Sequence, residues 1–207
     1  MSFGGVRRRR ESAAVIDVRD ARQDDRARVA AMLARAFAED PAMAYIFPDS
    51  ADRAARLPKL FALLFDEDAG GMRLIDAERA AATLWRAPGA AVTPWWGIVR
   101  HAIPLLAALG PALPRALRLS HAIEAHFPLG RFWYLHIAGV DPSRQGRGLG
   151  GALIRAGLAR CDAEGMPAYL ETATESNVGL YRAIGFDLVG EWTVPGGGPR
   201  FWSMRRG

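Results

Sequence analysis

The stretch V-D-P-S-R-Q-G-R-G-L-G-G, residues 140–151, decides how the rest of the chain is interpreted. A predicted strand ends in Asp141-Pro142, which turns the chain because a residue before proline avoids the helical region. A glycine-dense loop follows and leads into a predicted helix. The unpaired amides of a first helical turn attract anions, and glycine lets the backbone approach a ligand closely. The segment therefore predicts an anion site, where Arg144 and Arg147 can add charge-assisted hydrogen bonds.

This loop matches one of two common phosphate-binding patterns and not the other. The Walker pattern G-x-x-x-x-G-K-[ST] requires a lysine, which the segment lacks. Gly146, Gly148 and Gly151 match the dinucleotide pattern G-x-G-x-x-G, and Glu171 follows at roughly the spacing of that pattern's acidic residue. Spacing alone therefore does not exclude a dinucleotide-binding loop. The other alternative to an anion site is a glycine-rich turn with a purely structural role.

The remaining hydrophobic pattern predicts alternating strands and helices in a single domain over residues 15–207. The predicted strands are 15–18, 72–75, 80–85, 132–140, 168–172, 186–192 and 200–205, and the predicted helices are 24–37, 50–65, 95–109, 112–126, 148–163 and 176–184. The two helices in the middle form a helical insertion, residues 95–127, split at Gly110-Pro111. Residues 1–14 are predicted to be a disordered tail.

The composition is that of an ordinary globular protein, with 50% hydrophobic and 24% charged residues. The net charge is +5, and all 27 basic residues except Lys59 are arginine. This excess is modest and spread along the chain, so we predict no nucleic-acid partner. A single cysteine, Cys161, excludes an internal disulfide and suits a reducing compartment, so we expect a cytoplasmic protein.

Membrane and metal sites are not predicted either. The arginines at 7–10 resemble the start of a secretory signal, but acidic and polar residues follow them instead of an apolar core. The longest uncharged run in the helical insertion, residues 102–114, is shorter than the roughly 20 residues of a membrane span and contains three prolines. The histidines lack the spacing of metal ligands.

Two motifs resemble those of a known enzyme superfamily. Gln145-x-x-Gly148-x-Gly150 is similar to the Q/R-x-x-G-x-G/A signature of the GCN5-related N-acetyltransferase (GNAT) superfamily. About 30 residues later, E-T-A-T-E-S-N-V-G-L-Y-R-A-I-G-F, residues 171–186, resembles the second motif of that superfamily. There an asparagine precedes a helix with a tyrosine, and Gly-Phe leads into a strand. The two motifs have the order and distance found in the family, and the close resemblance covers residues 133–190.

Within the superfamily, the chain looks most similar to puromycin N-acetyltransferase-like members. The similarity lies in Phe37-Ala38-x-Asp40-Pro41, Leu170-Glu171-Thr172, Asn177-x-x-x-Tyr181 and the C-terminal segment 194–204. Residues 42–131 match poorly, and this part of the chain is where acceptor specificity is expected. In many family members an asparagine stands seven residues before the tyrosine, where this chain has Thr174.

The resemblance implies both a fold and an activity. The fold would be α/β (α+β), with a central mixed, mostly antiparallel, twisted sheet of about seven strands flanked by helices, and the helical insertion before the fourth strand. The activity would be transfer of an acetyl group from the cosubstrate acetyl-CoA to a primary amine of a small molecule, by direct attack in a ternary complex and without a metal. A protein or peptide N-acetyltransferase and a non-catalytic acyl-CoA-binding protein are the alternatives. A monomer and a homodimer remain equally open.

The resemblance also implies residue roles. It places Tyr181 beside the sulfur of acetyl-CoA as the general acid, and the glycine loop on the pyrophosphate. The implied cofactor-binding residues are Ala138, Gly139, Val140, Gln145, Gly146, Arg147, Gly148, Leu149, Gly150, Gly151 and Asn177. Gly139 at the strand end also suggests a bulge or splay, where a ligand can pair with the backbone.

The base and the acceptor pocket are predicted from residue chemistry. Glu171, at the end of a predicted strand, is the candidate base if burial raises its pKa, and His136 is its rival. Aromatic walls and carboxylates suit an apolar, cationic acceptor. The predicted pocket residues are Phe37, Asp40, Tyr45, Trp95, Trp96, Glu124, Trp133, Tyr134, His136 and Trp202.

Overall fold

The structure is a computed structural model that describes residues 16–92 and 102–207. In chain order it contains β1 (Val18–Asp20), α1 (Arg26–Ala36), α2 (Pro41–Ile46), α3 (Ser50–Glu67), β2 (Met72–Asp76), β3 (Ala81–Arg86), α4 (Ala102–Leu109), α5 (Leu113–Glu124), β4 (Trp133–Val140), α6 (Leu149–Ala163), β5 (Ala168–Thr172), α7 (Ser176–Ala183), β6 (Asp187–Thr193) and β7 (Arg200–Arg206). The predicted tail and the aromatic pair Trp95 and Trp96 lie outside the described residues.

The elements follow the predicted pattern, except that β1 lies at Val18–Asp20 instead of 15–18 and that one helix is added. Asp40-Pro41 ends one helix, as expected, but it also begins the short helix α2. The Asp40 carboxylate accepts hydrogen bonds from the amides of Ala42 and Met43, at 2.9 and 3.1 Å, and Pro41 occupies the first helical position. Both features are typical helix-start signals, because they satisfy or remove amides that have no partner within the helix.

The seven described strands form one sheet in the order β1-β2-β3-β4-β5-β7-β6. Only the β4–β5 pair is parallel, and the other neighbours are antiparallel. Helices α1 to α5 pack on one face of the sheet, and α6 and α7 pack on the other. The predicted fold class, a mixed and mostly antiparallel sheet with helices before the fourth strand, is confirmed.

The parallel strands β4 and β5 pair over only two positions. Trp133 lies opposite Ala168 and Tyr134 opposite Tyr169, and no further pairs follow although β4 continues to Val140. The β5-facing backbone groups in the second half of β4 therefore have no strand partner. The sheet opens at this point into a cleft between the carboxyl ends of the two strands.

A β-bulge in β4 lies beside this opening. Leu84 of β3 pairs with Ile137 and the next residue, Trp85, pairs with Leu135, so His136 is an extra residue in β4. A bulge re-aims the side chains around it, which is why bulges occur beside functional sites. The sequence suggested a bulge at Gly139, and the structure has it three residues earlier.

Gly139 has a packing role instead. A Cβ atom there would lie 2.6 Å from Cδ2 of Leu33 and 3.0 Å from Cε2 of Phe37. These distances are shorter than any normal carbon contact, so α1 can cross β4 at this height only because residue 139 is glycine.

The apolar stretch Ala102–Glu124 contains α4, a 3-10 turn at Gly110–Ala112 and α5. Among the described residues it is the one stretch that is long and apolar enough to cross a membrane, by length and composition only. A single stretch of this kind is weak evidence for a span. Gly110, at a φ of 49°, divides it, and its two halves pack on α3 and α2.

Two helical glycines give opposite predictions for stability. In α6, a Cβ on Gly157 would lie 2.6 Å from the fully buried ring of Trp85, whereas Gly179 in α7 has open space around it. We expect Gly157→Ala to lower the free energy of unfolding by about 1–3 kcal/mol through overpacking. Gly179→Ala, the matched control, should raise it by about 0.5–1 kcal/mol through helix propensity.

Urea unfolding followed by circular dichroism measures both variants. Equal effects of the two substitutions would contradict the close approach of α6 to β3.

Candidate active site

A cavity of about 350 Å³ lies where β4 and β5 separate. Its walls come from α2, α3, α4 and α5, and most of the side chains that line it are apolar. Four carboxyl side chains interrupt this apolar lining, and they belong to Asp40, Glu67, Glu124 and Glu171. An enclosed, mainly apolar cavity with a few polar groups is typical of a small-molecule site.

Glu171 is the most unusual of these residues. Both of its carboxyl oxygens are buried, and neither accepts a hydrogen bond of standard geometry from the described residues. Burial raises the pKa of the Glu171 carboxyl to about 8, and the neighbouring phenols of Tyr169 and Tyr134 partly oppose this rise. A carboxyl group of this kind loses its proton near neutral pH, where it can act as a base.

Tyr181 lines the same cavity from α7, on the other face of the sheet. Its ring packs edge-on against Phe186, with 6.0 Å between the ring centroids. Burial, and then the charge of Asp40, raise the pKa of Tyr181 to about 12. The phenol is therefore protonated at any physiological pH and is available as a proton donor.

Asp40 links the helix start of α2 to the cavity. Burial raises the pKa of its carboxyl, and the two amide hydrogen bonds at the start of α2 partly oppose this rise. Because these amides hold the carboxyl in place, Asp40 presents a fixed oxygen at the cavity wall, next to Tyr181.

A second group of polar side chains lies beside His136. Nδ1 of His136 lies 2.7 Å from Oδ2 of Asp68, and Nε of Arg86 donates to the other Asp68 oxygen at 2.8 Å. Burial disfavours the charge of Asp68, yet these two contacts hold its pKa below the ordinary value. Arg86 also donates to Glu67 at 3.3 Å and to the carbonyl of Ala91 at 3.0 Å.

The predicted anion loop has the geometry that the sequence suggested. Gly146 and Gly148 adopt φ values of 75° and 77°, which favour glycine. Gly148 precedes α6, and no side chain caps the first turn of this helix. The amides of that turn are therefore open to an anion at the positive end of the helix dipole.

The two loop arginines differ in their surroundings. Arg144 forms an ion pair with Glu78 on the β2–β3 connection. Arg147 is exposed and makes no ion pair within the described part of the chain. Arg147 is thus the arginine of this loop that can reach an anion without breaking another ion pair. In the same loop, Nε2 of Gln145 donates a hydrogen bond to the carbonyl of Val140 at 3.4 Å.

The cavity gathers many of the predicted residues from distant parts of the sequence. The predicted residues that line it are Phe37, Asp40, Glu124, Tyr134, His136, Ala138, Glu171, Asn177 and Tyr181. Asn177 belongs to this set although its spacing to Tyr181 departs from the family pattern.

Three predicted acceptor residues lie elsewhere. Trp133 and Trp202 pack in the core between the sheet and helices α6 and α7, and Nε1 of Trp133 donates to Glu164. These tryptophans point away from the cavity because side chains alternate along a strand. Tyr45 accepts a hydrogen bond from Arg118 at 3.1 Å and does not line the cavity. Trp95 is outside the described residues.

Sequence reasoning missed Asp68, Arg86 and Glu67. No motif marks them, because each is an ordinary charged residue at the end of an element. Only the packing of the α3 end against β3 and β4 brings them to His136. Among the described residues there is no group of three or more His, Cys, Asp or Glu side chains able to hold a metal ion.

Comparison with known proteins agrees with this arrangement. The model of the acetyltransferase (GNAT) family matches residues 120–186. An uncharacterized N-acetyltransferase of Schizosaccharomyces pombe is 28% identical over 176 residues, which cover 78% of this chain and 70% of that protein. A mycothiol acetyltransferase of Thermobispora bispora is 39% identical over 78 residues, but these cover 36% of this chain and 24% of that protein.

Solved structures extend the likeness to nearly the whole chain. A histone acetyltransferase HPA2 and related acetyltransferase from Corynebacterium glutamicum superposes with a TM-score of 0.71, at 24% identity, over 92% of this chain and 95% of that one. At this identity the likeness concerns the fold. The family match covers the motif region that carries the glycine loop and Tyr181.

Proposed function

We propose that this protein is a GNAT acetyltransferase that transfers an acetyl group from acetyl-CoA to the primary amine of a small molecule. The observation that carries this proposal is the buried carboxyl of Glu171, which forms no ion pair with the described residues and shares a mainly apolar cavity with Tyr181. A buried acid without a partner is unfavourable for folding, so its place is best explained by a cationic ligand.

The glycine loop and the open edge of β4 are suited to hold acetyl-CoA. The uncapped first turn of α6, with Gly148 to Gly151, offers amides to the pyrophosphate, and Arg147 adds a charge. The unpaired edge of β4 at Ala138 to Val140 offers backbone groups to the extended pantetheine arm. When bound, acetyl-CoA supplies the acetyl group as a thioester.

The cavity residues then divide the proton transfers. An ammonium ion entering the cavity is attracted by the carboxylates of Glu171 and Asp40, and ionised Glu171 removes its proton. The free amine attacks the thioester carbonyl. The neutral phenol of Tyr181 donates a proton to the departing sulfur, which is a poor leaving group as a thiolate in an apolar site.

The size and lining of the cavity favour a small, partly apolar amine. About 350 Å³ is at the lower end of the range for drug-sized ligands. Apolar side chains of α3, α4 and α5 close it, which leaves little room for a folded protein substrate. A puromycin N-acetyltransferase-like specificity remains a hypothesis that rests on the short segments around Asp40 and at 194–204.

A screen for free thiol tests the proposal. Acetyl-CoA is incubated with the protein and with a panel of alkylamines, arylalkylamines, polyamines and amino-terminal peptides. We expect CoA release with small amines that carry an apolar group. Turnover of peptides alone would support a protein N-acetyltransferase, and acetyl-CoA binding without any turnover would support a non-catalytic protein.

Tyr181→Phe should lower kcat by about 10²-fold, because the sulfur then leaves without a proton donor. Acetyl-CoA affinity should stay unchanged, since only one hydroxyl is lost. The measurement is thiol release with the best amine of the panel. The control is Tyr45→Phe, whose hydroxyl lies outside the cavity and which should behave as the wild type. Equal kcat values for Tyr181→Phe and the wild type would remove Tyr181 from the reaction.

Glu171→Gln should remove the rise of kcat/KM with pH. The pKa of Glu171 is about 8 and the carboxylate is the base, so the wild-type rate should increase with pH and level off above pH 8. The variant should be slow at every pH. Glu175→Gln, an exposed neighbour at the start of α7, is the control and should keep the wild-type profile.

The same substitution should change the pH dependence of stability. Because the folded-state pKa of Glu171 is raised above the unfolded value of 4.5, the fold binds an extra proton between pH 4.5 and about 8. Stability is therefore lost as pH rises through this range, on the order of 4 kcal/mol in total. In urea unfolding, Glu171→Gln should gain stability relative to the wild type from pH 5 to pH 9. A constant difference across that range would contradict the raised pKa.

A further inference from the structure

We propose that Asp68 and His136 form a second proton-accepting unit, through which the proton taken by Glu171 leaves the cavity. The proposal rests on the proposed acetyl transfer, because it assigns these two residues to that reaction. His136 would carry the proton, and Asp68 would act as a positioning residue.

The contact between the two residues sets the tautomer of the imidazole. Asp68 is ionised and can only accept, so Nδ1 of His136 carries the hydrogen in their 2.7 Å contact. In the neutral ring this leaves the lone pair on Nε2. The Asp68 side chain is 0% exposed and that of His136 is 17% exposed. His136 therefore connects a buried carboxylate with a cavity into which its ring extends.

The strand geometry places His136 and Glu171 at the same cavity. Tyr134 and Tyr169 form the last pair between β4 and β5, and the two acid–base residues each come two positions later. Side chains two positions apart in a strand lie on the same face. Both residues therefore flank the point where the strands separate. His136 is the extra residue of the β4 bulge, which lies beside this point.

Arg86 donates to Asp68 at 2.8 Å and to Glu67 at 3.3 Å, so one guanidinium serves two carboxylates beside His136. A positively charged imidazole would disfavour an incoming ammonium ion. A neutral imidazole with its lone pair on Nε2 does not repel the substrate and can accept a proton later.

The proton balance of the reaction requires a route out of the cavity. When the C–N bond forms and the C–S bond breaks, the ammonium nitrogen loses two of its three protons. Tyr181 donates one proton to the sulfur and becomes a phenolate. A proton from the nitrogen then restores the phenol of Tyr181. The other proton, taken first by Glu171, must reach solvent. Because both Glu171 oxygens are buried, a group with partial exposure has to pass it on.

Asp68, which follows α3, and Tyr134 of β4 contact the His136 ring directly. The other charged or titratable groups around it line the same cavity, and they are Glu67 at the end of α3, Arg86 of β3, Glu171 of β5, and His121 and Glu124 of α5. Tyr169 of β5 lies beside Tyr134. In this set Asp68 makes the direct hydrogen bond to the ring, which is why it is the residue to change.

Chemical rescue tests the role of His136. We expect His136→Ala to lower kcat by about 10²-fold, and added imidazole to restore activity in a concentration-dependent way. The control is His121→Ala, because His121 lines the cavity but forms no ion pair with the described residues, and it should show no rescue. Rescue supports proton transfer, because added imidazole would not restore activity after a merely structural loss. The rescued rate should also follow the fraction of imidazole that is neutral at each pH. A rate equal to the wild type, or a loss without rescue, would overturn the proposal.

Asp68→Asn tests the positioning role. Arg86 would take the amide oxygen, so the amide NH₂ group would face Nδ1 of His136 and force the hydrogen onto Nε2. We expect kcat to fall by about 10²-fold, with KM changed little. Asp66→Asn is the control, since Asp66 pairs with Arg26 away from the cavity.

Nitrogen NMR of the histidine rings gives a readout without activity. His136, assigned through its loss in His136→Ala, should show hydrogen on Nδ1 in the wild type and on Nε2 in Asp68→Asn. The wild type with hydrogen on Nε2 would overturn the proposal even if the enzyme is active. Absence of turnover with every amine would instead refute the proposed function, while the NMR result would still decide whether Asp68 sets the tautomer.

Discussion

The structure depends on the short parallel pairing between β4 and β5. After two residue pairs the strands part, and the candidate acid–base residues line the cavity at that opening. The edge of β4 is left unpaired, the cavity forms beneath α4 and α5, and α7 reaches the cavity from the opposite face. If the strands continued to pair, ladder hydrogen bonds would close the space where ligand and side chains meet.

This opening also concentrates charges that burial would otherwise disfavour. Glu171 forms no ion pair with the described residues and has only the phenols of Tyr169 and Tyr134 beside its carboxyl, whereas the buried Asp68 is ionised because Arg86 and His136 contact it. Two carboxyl groups near one cleft thus have pKa values shifted in opposite directions. This separation is a common basis for assigning different acid–base roles to chemically identical groups.

Much of the fold followed from local patterns. The helix α6, the strand β5 and the glycine loop appear close to their predicted bounds, because apolar periodicity and turn residues are properties of short segments. The candidate site followed only in part. Tyr181 and Glu171 stand in a motif, whereas Asp68 and Arg86 come from the ends of α3 and β3 and have no sequence signal. Trp133 and Trp202 were expected in the acceptor pocket because aromatic residues suit one, but strand alternation turns them into the core on the other face.

The sequence by itself determined the fold class and the place of the glycine loop, and it indicated Tyr181 as the candidate acid, since these depend on residues that are close together in the chain. The tertiary structure decided which side chains face the cavity, where β4 carries its bulge, and which acids are buried. The physical reason is that burial, hydrogen-bond partners and pKa shifts arise between elements far apart in sequence. His136 illustrates the difference: as a sequence position it is one histidine in a strand, and its contact with Asp68 exists only after α3 packs against the sheet.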